Sequence, residues 1–514
     1  MIIQPQSREQ QIFFSCIDDF VTKDNIVRII DLLVKTIITK NPEKYTYKGD
    51  SYTGRPAYSV ETMIKIFIYG YINRITSSRK LEIETKRNLE LMWLTGNLQP
   101  DFKSIADFRK DNKEIVKQFC KDIKLFLRAS NLIDLKQVAL DGTKLKANAS
   151  KDMLKRANIF KNLEALESEL EQYLSQIEIQ DSIESEQELS YYSTEKDKKI
   201  SQLEAQITKL KEQLKILEET GKNYISQTDP DCTLMRSRDG SIPGYNVQIM
   251  SDSKHHFIVN EYVTDAANDI EELAVAIDSI KSELHEVPEI ILADTGYSNL
   301  DQIQKIEENN DTTCYIPLPK EAGKSPKSEF IYDIENDRYI CSQGKYLTLK
   351  QKHKQKRNSF VDIYFGSDCG SCPISEKCTD AKSGRQISRY ENDDFRQRHK
   401  KKMNSSFGKS MVHKRKSLIE HINGTMKVWL GKIPILTRGI IDVTTEVKLF
   451  SSSFNIKRLF NLISFENLKE MIEMYIDSDI SKNKTCIFKN QAILKFSYVS
   501  LIFFWVISTI FQKI

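Results

Sequence analysis

The chain has 514 residues, of which 40% are hydrophobic and 29% charged. That is enough apolar material for two to four domains with cores of their own, and it excludes a disordered chain. The formal net charge of +4 is too small to diagnose a polyanion binder. Its distribution says more, because residues 396–416 carry nine Lys or Arg and no acid, and residues 350–357 carry five more.

The start, MIIQPQSREQQ, is polar, so no secretion signal is expected, and the nine cysteines are expected to stay reduced. Residues 1–130 read as helical. Ile26, Ile29, Ile30, Leu33 and Ile37 recur at helical spacing, as do Met63, Ile64, Phe67 and Tyr71. A Gly/Pro turn, YTGRPAYS, lies between them, and SSRKLEIETKRN and PDFKSIADFRK add basic residues to further helices. A bundle with solvated charges and a DNA-binding module are both compatible with this composition.

From residue 131 the character changes. QVALDG reads as a buried strand ending in Asp141 and a glycine turn. Residues 160–224 then show a heptad seam, with Ile200, Leu203, Ile207, Leu210, Leu214 and Leu217 stepping by three and four. Leu163, Leu166, Leu170, Leu174 and Ile177 make a similar run, which predicts an inserted antiparallel helical hairpin. Residues 225–312 return to strands. PGYNVQIMS and HHFIVNEYVT fit a hairpin turning at Asp252-Ser253-Lys254, a helix follows with Asp269 as its cap, and EIILADTGYS is a strand ending in Asp294. The order strand, strand, strand, helix, strand predicts an α/β fold with a mixed sheet.

Residues 313–405 read as a β-rich insert holding Cys341, Cys369, Cys372 and Cys378, spaced C-x27-C-x2-C-x5-C. Four thiolates suit a closed, structural Zn²⁺ site, and buried unliganded cysteines are the plainer alternative. Cys16, Cys120, Cys232, Cys314 and Cys486 are scattered and read as inert. His255-His256 reads as a solvated turn. Residues 406–475 are helical. Residues 476–514 end in an apolar tail whose 15-residue stretch SYVSLIFFWVISTIF is short for a bilayer span of roughly 20. It reads as a buried or interface segment.

Two strand-end aspartates on one sheet converge and repel, and a divalent cation relieves that repulsion. A pair of turn caps is the bland reading of Asp141 and Asp294. A third acid comes from HKRKSLIEHINGTMKVW. There Leu418, Ile419, Ile422, Met426 and Trp429 form an apolar face, and Lys416, Glu420, Asn423 and Lys427 share the opposite one. Lys416 and Glu420 are equally an ordinary i,i+4 surface pair. Glu446, on the last helix, is a competing third acid with apolar neighbours.

These segments resemble the DDE transposases of bacterial insertion sequences over about Tyr52 to Leu462. YTGRPAYSVETMIKIFIYGY, SSRKLE and PDFKSIADFR are similar to the family's N-terminal helical domain. DPDCTLM and GYNVQIMSD are similar to its central strands, and TRGIIDVTTEVKLFSSSFNIKRL to its closing helix. ADTGYSN and IEHINGTMK resemble the segments carrying its second and third acids. The resemblance implies an RNase H-like core with a catalytic, metal-holding trio of Asp141, Asp294 and Glu420, using Mg²⁺ or Mn²⁺. Lys416, Lys427 and Arg415 would contact DNA. Lys416 stands where the family has Arg, His413 where it has Tyr, and Ile422-Asn423 where Pro-Phe is expected. The chemistry implied is two phosphoryl transfers. Water cleaves at the element's end, and the freed 3′-hydroxyl then attacks target DNA. The implied partners are double-stranded DNA, as terminal inverted repeats and target, and a second copy of the chain on paired ends. No small-molecule substrate and no membrane are implied, and the implied location is the bacterial cytoplasm, at the nucleoid. Three other classes remain: a non-catalytic DNA-binding derivative, a metal-dependent nuclease, and a membrane-associated interaction protein.

Overall fold

The computed structural model describes residues 16–47, 57–150, 153–181, 189–237, 240–319, 330–356, 359–381, 383–430 and 435–477. The apolar tail from 478 onward, Cys486, and the Tyr52–Pro56 part of the Gly/Pro turn lie outside them.

Six helices come first: α1 (Ile26–Lys40), α2 (Val60–Ile72), α3 (Ser78–Arg87), α4 (Leu89–Thr95), α5 (Phe102–Asp111) and α6 (Lys113–Ala129). Asn25 starts α1 by accepting from the Val27 amide at 3.0 Å, one of the orphan donors that a helix N-terminus leaves. In α2 every residue except Glu61 is buried, as a helix that is apolar nearly all round requires.

The central sheet has strands β1 (Gln137–Lys146), β2 (Thr233–Ser237), β3 (Gly240–Asp252), β4 (Ile258–Thr264), β5 (Ile290–Leu292) and β6 (Thr313–Tyr315). Its order is β2-β3-β1-β5-β6, with β4 also pairing β3. The β1–β3, β2–β3 and β3–β4 pairs are antiparallel, and β1–β5 and β5–β6 are parallel. The hairpin between β3 and β4 turns where expected, and Asp252 Oδ2 accepts from the Lys254 and His255 amides.

Helices α7 (Arg156–Asp181) and α8 (Leu189–Thr220) interrupt the sheet between β1 and β2. Ion pairs Arg156–Glu218, Glu167–Lys211 and Glu169–Lys199 run in opposite chain directions, so the two helices are antiparallel. Their seam is tight near the sheet, with Leu217 and Leu214 buried, and loosens outward to an exposed Leu174. Helices α9 (Glu272–Leu284) and α10 (Leu300–Asn309) flank the central sheet.

A second, antiparallel sheet follows: β7 (Ile331–Asp333), β8 (Arg338–Ile340), β9 (Tyr346–Lys356), β10 (Ser359–Phe365) and β11 (Gln386–Tyr390), ordered β11-β10-β9-β8-β7. It has its own small core of Phe330, Tyr339, Leu347, Tyr364 and Ile387. The described residues end with α11 (Asp393–Asn404), α12 (Ser406–Leu430), α13 (Ile440–Leu462) and α14 (Phe465–Asp477). The last helical stretch is thus two helices, broken at Ile463.

Helix α13 packs against α2, α6 and β4. Lys448 of α13 and Lys124 of α6 both reach Glu261 of β4, at 3.0 and 2.9 Å, and both also pair with Glu283 of α9. Four elements therefore meet at one buried charge cluster, in which each charge has at least one opposite partner.

Candidate active site

Strand β1 does not stop at Asp141. It runs on to Lys146, with nine residues of β1 facing β3. Only the parallel partner stops, since β5 pairs with β1 at Gln137, Val138 and Ala139 and no further. Ala139 faces Leu292, so Asp141 and Asp294 each stand two residues past a matched pair. With a two-residue repeat both point to the same side of the sheet. The expected strand end is the end of the parallel ladder, not of the strand.

Asp294 leaves β5 and opens the turn Thr295–Tyr297, its Oδ1 accepting from the Gly296 amide at 2.7 Å. Asp141 Oδ2 accepts from Asn423 Nδ2 at 2.8 Å, and Arg415 Nη1 stands 3.5 Å from Oδ1. Both partners come from α12. Burial pushes the Asp141 carboxyl up to about 6. The charges of Asp294 and Asp269 add to the rise, against Arg415 and the Asn423 hydrogen bond.

Asp269 does not cap α9 as its position in the sequence predicts, because α9 begins at Glu272 and lacks a side-chain cap. The Asp269 Oδ1 instead accepts from Asn246 Nδ2 at 2.7 Å and Gln248 Nε2 at 2.6 Å, two amides on the buried strand β3. Gly142 is not a turn glycine either. A Cβ there would meet Asp269 Oδ1 at 2.5 Å and Gln248 Nε2 at 2.8 Å. The phenol of Tyr297 is held well above its usual range by burial, then by Asp269, Asp141 and Asp294. One tyrosine thus senses all three carboxylates.

Glu420 lies on α12 but is exposed, as are Lys416, Lys427 and His413. Leu418, Ile419, Ile422 and Met426 are buried as the apolar pattern predicts. Asn423 departs from the expected polar face, being buried against Asp141 instead of lying beside Glu420 in solvent. Glu446 is buried elsewhere. It accepts from the Thr437 amide at 2.8 Å and lies 3.8 Å from Arg109, which ties α13 to α5.

Among the described residues no group of three or more His, Cys, Asp or Glu is drawn together closely enough to hold a metal ion. The chemistry around Asp141 nonetheless fits a hard cation. Asn423 Oδ1 is a buried acceptor without a hydrogen-bond partner among the described residues. Beside the Asp141 carboxylate, and with that of Asp294, it offers oxygen donors of the kind Mg²⁺ or Mn²⁺ takes. Cys341, Cys369, Cys372 and Cys378 line one cavity in the second sheet, without closing into a metal-holding group. Cys120, Cys232 and Cys314 are buried and Cys16 is exposed.

A groove of about 670 Å³ opens beside His421, between α12, α13 and the end of α2. Arg74, Lys457 and Arg458 border it, Trp429 and Phe454 supply aromatic surface, and no acid among the described residues lines it. Lys457 stands 5.3 Å from the Trp429 ring. His255 and His256 are half-buried beside this region and not simply solvated. Burial, then Arg458 and His421, hold His256 down to about 4.

Sequence reasoning misses the contact of Asn423 with Asp141 and the hold of Asn246 and Gln248 on Asp269, and it misreads Asp269 as a cap. The available signal is in GYNVQIMS, where two amides two residues apart interrupt an apolar strand. Polar side chains on one face of a buried strand must find partners.

Two family models match the sequence: "Transposase domain (DUF772)" over residues 15–111 and "Transposase DDE domain" over residues 340–460. No curated protein matches. Among solved structures, the piggyBac transposase synaptic complex with hairpin DNA aligns over 90% of this chain and 83% of that one, at 10% identity and a TM-score of 0.30. A likeness that distant carries no argument about function. Among the described residues no helix is long and apolar enough to cross a membrane.

Proposed function

We propose that this chain, which belongs to the DDE transposases of insertion sequences, cleaves and rejoins DNA strands at the ends of its element, with Asp141 and Asp294 as the central carboxylates. The observation that carries the reading is the register. The parallel β1–β5 ladder delivers both aspartates to one side of the sheet, two residues past Ala139 and Leu292. The order β4-β3-β1-β5-β6, with β4, β3 and β1 antiparallel, β5 and β6 parallel to β1, and the acids on β1 and just past β5, supports an RNase H-like core.

Asp141 and Asp294 would hold divalent cations, Mg²⁺ or Mn²⁺, with Glu420 reaching them from the solvent side of α12. Bound there, such ions supply Lewis-acid stabilisation of the attacking and leaving oxygens of a phosphoryl transfer. The protein's own part is orientation. Asn423 and Arg415 fix the Asp141 carboxylate, while exposed Lys416 and Lys427 meet backbone phosphates, which position the DNA without reading its sequence. The basic groove at Arg74, Lys457 and Arg458 extends that track, and its aromatic floor suits stacking against an unpaired base. Terminal repeats and target DNA are the substrates, held by two copies of the chain. Structural Zn²⁺ at Cys341, Cys369, Cys372 and Cys378 completes the reading, and metal analysis of purified protein finding no zinc removes that part.

The test is strand cleavage and joining on element-end DNA with Mg²⁺. Asp141→Asn is expected to lower cleavage at least about 100-fold while DNA binding stays within about threefold, since the substitution keeps size and removes one charge. Full Mg²⁺-dependent cleavage by that variant ends the assignment. One observation favours a second reading, a DNA-binding protein without cleavage: Glu420 is exposed and Asn423, not Glu420, contacts Asp141. Binding with no cleavage by the wild-type protein establishes it.

A further inference from the structure

In the second sheet, β9 carries a run of cations along an open edge. Residues 346–361 hold five Lys or Arg and no Asp or Glu. Lys350, Lys352 and Lys354 belong to a stretch of five exposed residues, Lys350 to Lys354. Strand β8 pairs with β9 only from Tyr346 to Thr348. Beyond Thr348, one edge of β9 therefore has no partner strand among the described residues.

The acids nearby are engaged elsewhere. Asp362 Oδ1 accepts from the His353 amide at 2.8 Å. Asp337 Oδ1 accepts from the hydroxyls of Tyr332 and Tyr364, and these two bonds, ahead of Lys352, hold its carboxyl low. Asp368 faces Lys345 at 4.0 Å. Lys350, Lys352 and Lys354 make no ion pair among the described residues, and the Lys350 ammonium lies 4.4 Å from the Phe365 ring. The backbone bends at the same place. Leu349, Gln351 and Lys354 face Tyr364, Ile363 and Val361, so β9 has one residue more than β10 in each of two steps. His353 sits at a φ of 49°, which is uncommon for a residue other than glycine. Bulges of this kind twist a strand and re-aim its side chains.

Lysines and bulges also protect an open edge from pairing with another chain. One lysine or one bulge meets that need. It does not call for a run of cations of one sign whose neighbouring acids are turned to other partners. Such a run builds a field that attracts a polyanion.

We infer that the open edge of β9 is a further contact for double-stranded DNA, in which Lys350, Lys352 and Lys354 meet backbone phosphates. The inference rests on the proposed function for the identity of the polyanion, and it involves neither Asp141 and Asp294 nor a metal. Phosphate contacts carry no base information, so this edge holds a duplex without choosing its sequence.

The experiment measures binding of a labelled duplex to the full-length protein by fluorescence anisotropy, in chelator, over a series of salt concentrations. It compares wild type with the triple variant Lys350→Gln, Lys352→Gln, Lys354→Gln. The control is Lys161→Gln, Lys198→Gln, Lys209→Gln, which removes the same charge from exposed residues of α7 and α8. Each lost phosphate contact flattens the slope of log affinity against log salt by about 0.9. The β9 variant is expected to flatten it by about 2–3 and to bind at least about tenfold more weakly at about 100 mM salt. The loss should be equal on element-end and unrelated duplexes, with the control within about twofold of wild type. An unchanged slope in the β9 variant overturns the inference, whatever happens to self-association. Equal flattening in the control reduces the effect to net charge and also overturns it, as does a loss confined to one duplex sequence. If the triple variant fails to fold by circular dichroism, Lys352→Glu alone decides, and a wild-type slope in it overturns the inference. Asp141→Asn should keep the wild-type slope, so failure at β9 stays distinct from failure of the metal reading. Wild-type protein that does not bind duplex at all overturns both.

Discussion

Asp141 is the residue whose ionisation the fold has changed most usefully. Its carboxyl is pushed up to about 6, first by burial and then by Asp294 and Asp269. A carboxyl raised in the folded state favours folding when protonated. That contribution is complete below the unfolded value near 4 and is lost as pH rises through about 6. In metal-free protein, Asp141→Asn should therefore melt with wild type at pH 4 and above it at pH 7. A gap of roughly 2–3 kcal/mol is expected, since each tenfold change in proton affinity is worth about 1.4 kcal/mol. Thermal melts of both proteins in chelator across pH 4–7 check this, and a constant gap over the range defeats it. Mg²⁺ added at pH 7 should reverse the sign, because the cation binds the ionised carboxylate.

At the scale of elements, α12 shows what a helical wheel can and cannot say. Its buried residues Leu418, Ile419, Ile422 and Met426 follow from spacing alone. Spacing also assigns Asn423 to the face of Glu420, because polar residues go to water by default. Its actual partner, Asp141, lies 282 positions away, and nothing local encodes that. Two glycines on α12 give opposite expectations. A Cβ on Gly408 would run into the Lys402 and Met403 carbonyls, backbone atoms with nowhere to move. Gly408→Ala should lose about 1–3 kcal/mol. Gly424 is exposed with nothing within 4 Å of its Cβ position, so Gly424→Ala should gain about 0.5–1 kcal/mol from helix propensity. Urea unfolding of the two variants measures both, and the same sign for both contradicts this packing.

Over the whole molecule, the N-terminal helices and the central sheet are joined by charge as well as by apolar contact. Lys124, Lys448, Glu261 and Glu283 come from α6, α13, β4 and α9. Lys124 and Glu261 are buried, and the carboxyl of Glu283 is held low by the two lysines despite the desolvation that opposes them. Removing one cation strands the acids it faces. Lys448→Met should lose about 3–5 kcal/mol, the cost seen when one member of a buried ion network is deleted. Chemical denaturation checks it, and a change below about 1 kcal/mol means water reaches the cluster.

Some of this was written in the chain and some was not. The helical N-terminus, the β3–β4 hairpin, the mixed sheet and the strand segments that carry Asp141 and Asp294 were legible, because each depends on spacing within a window of a few residues. Burial alternation, turn residues and helical repeats are local consequences of backbone geometry. Tertiary structure alone decided that β1 continues past Asp141, that Asp269 turns inward instead of capping α9, that Glu446 binds Thr437, and that Asn423 meets Asp141. Each of these depends on which distant group happens to supply a donor or an acceptor. Buried polar atoms must be satisfied somewhere, and the sequence states that demand without stating where it is met.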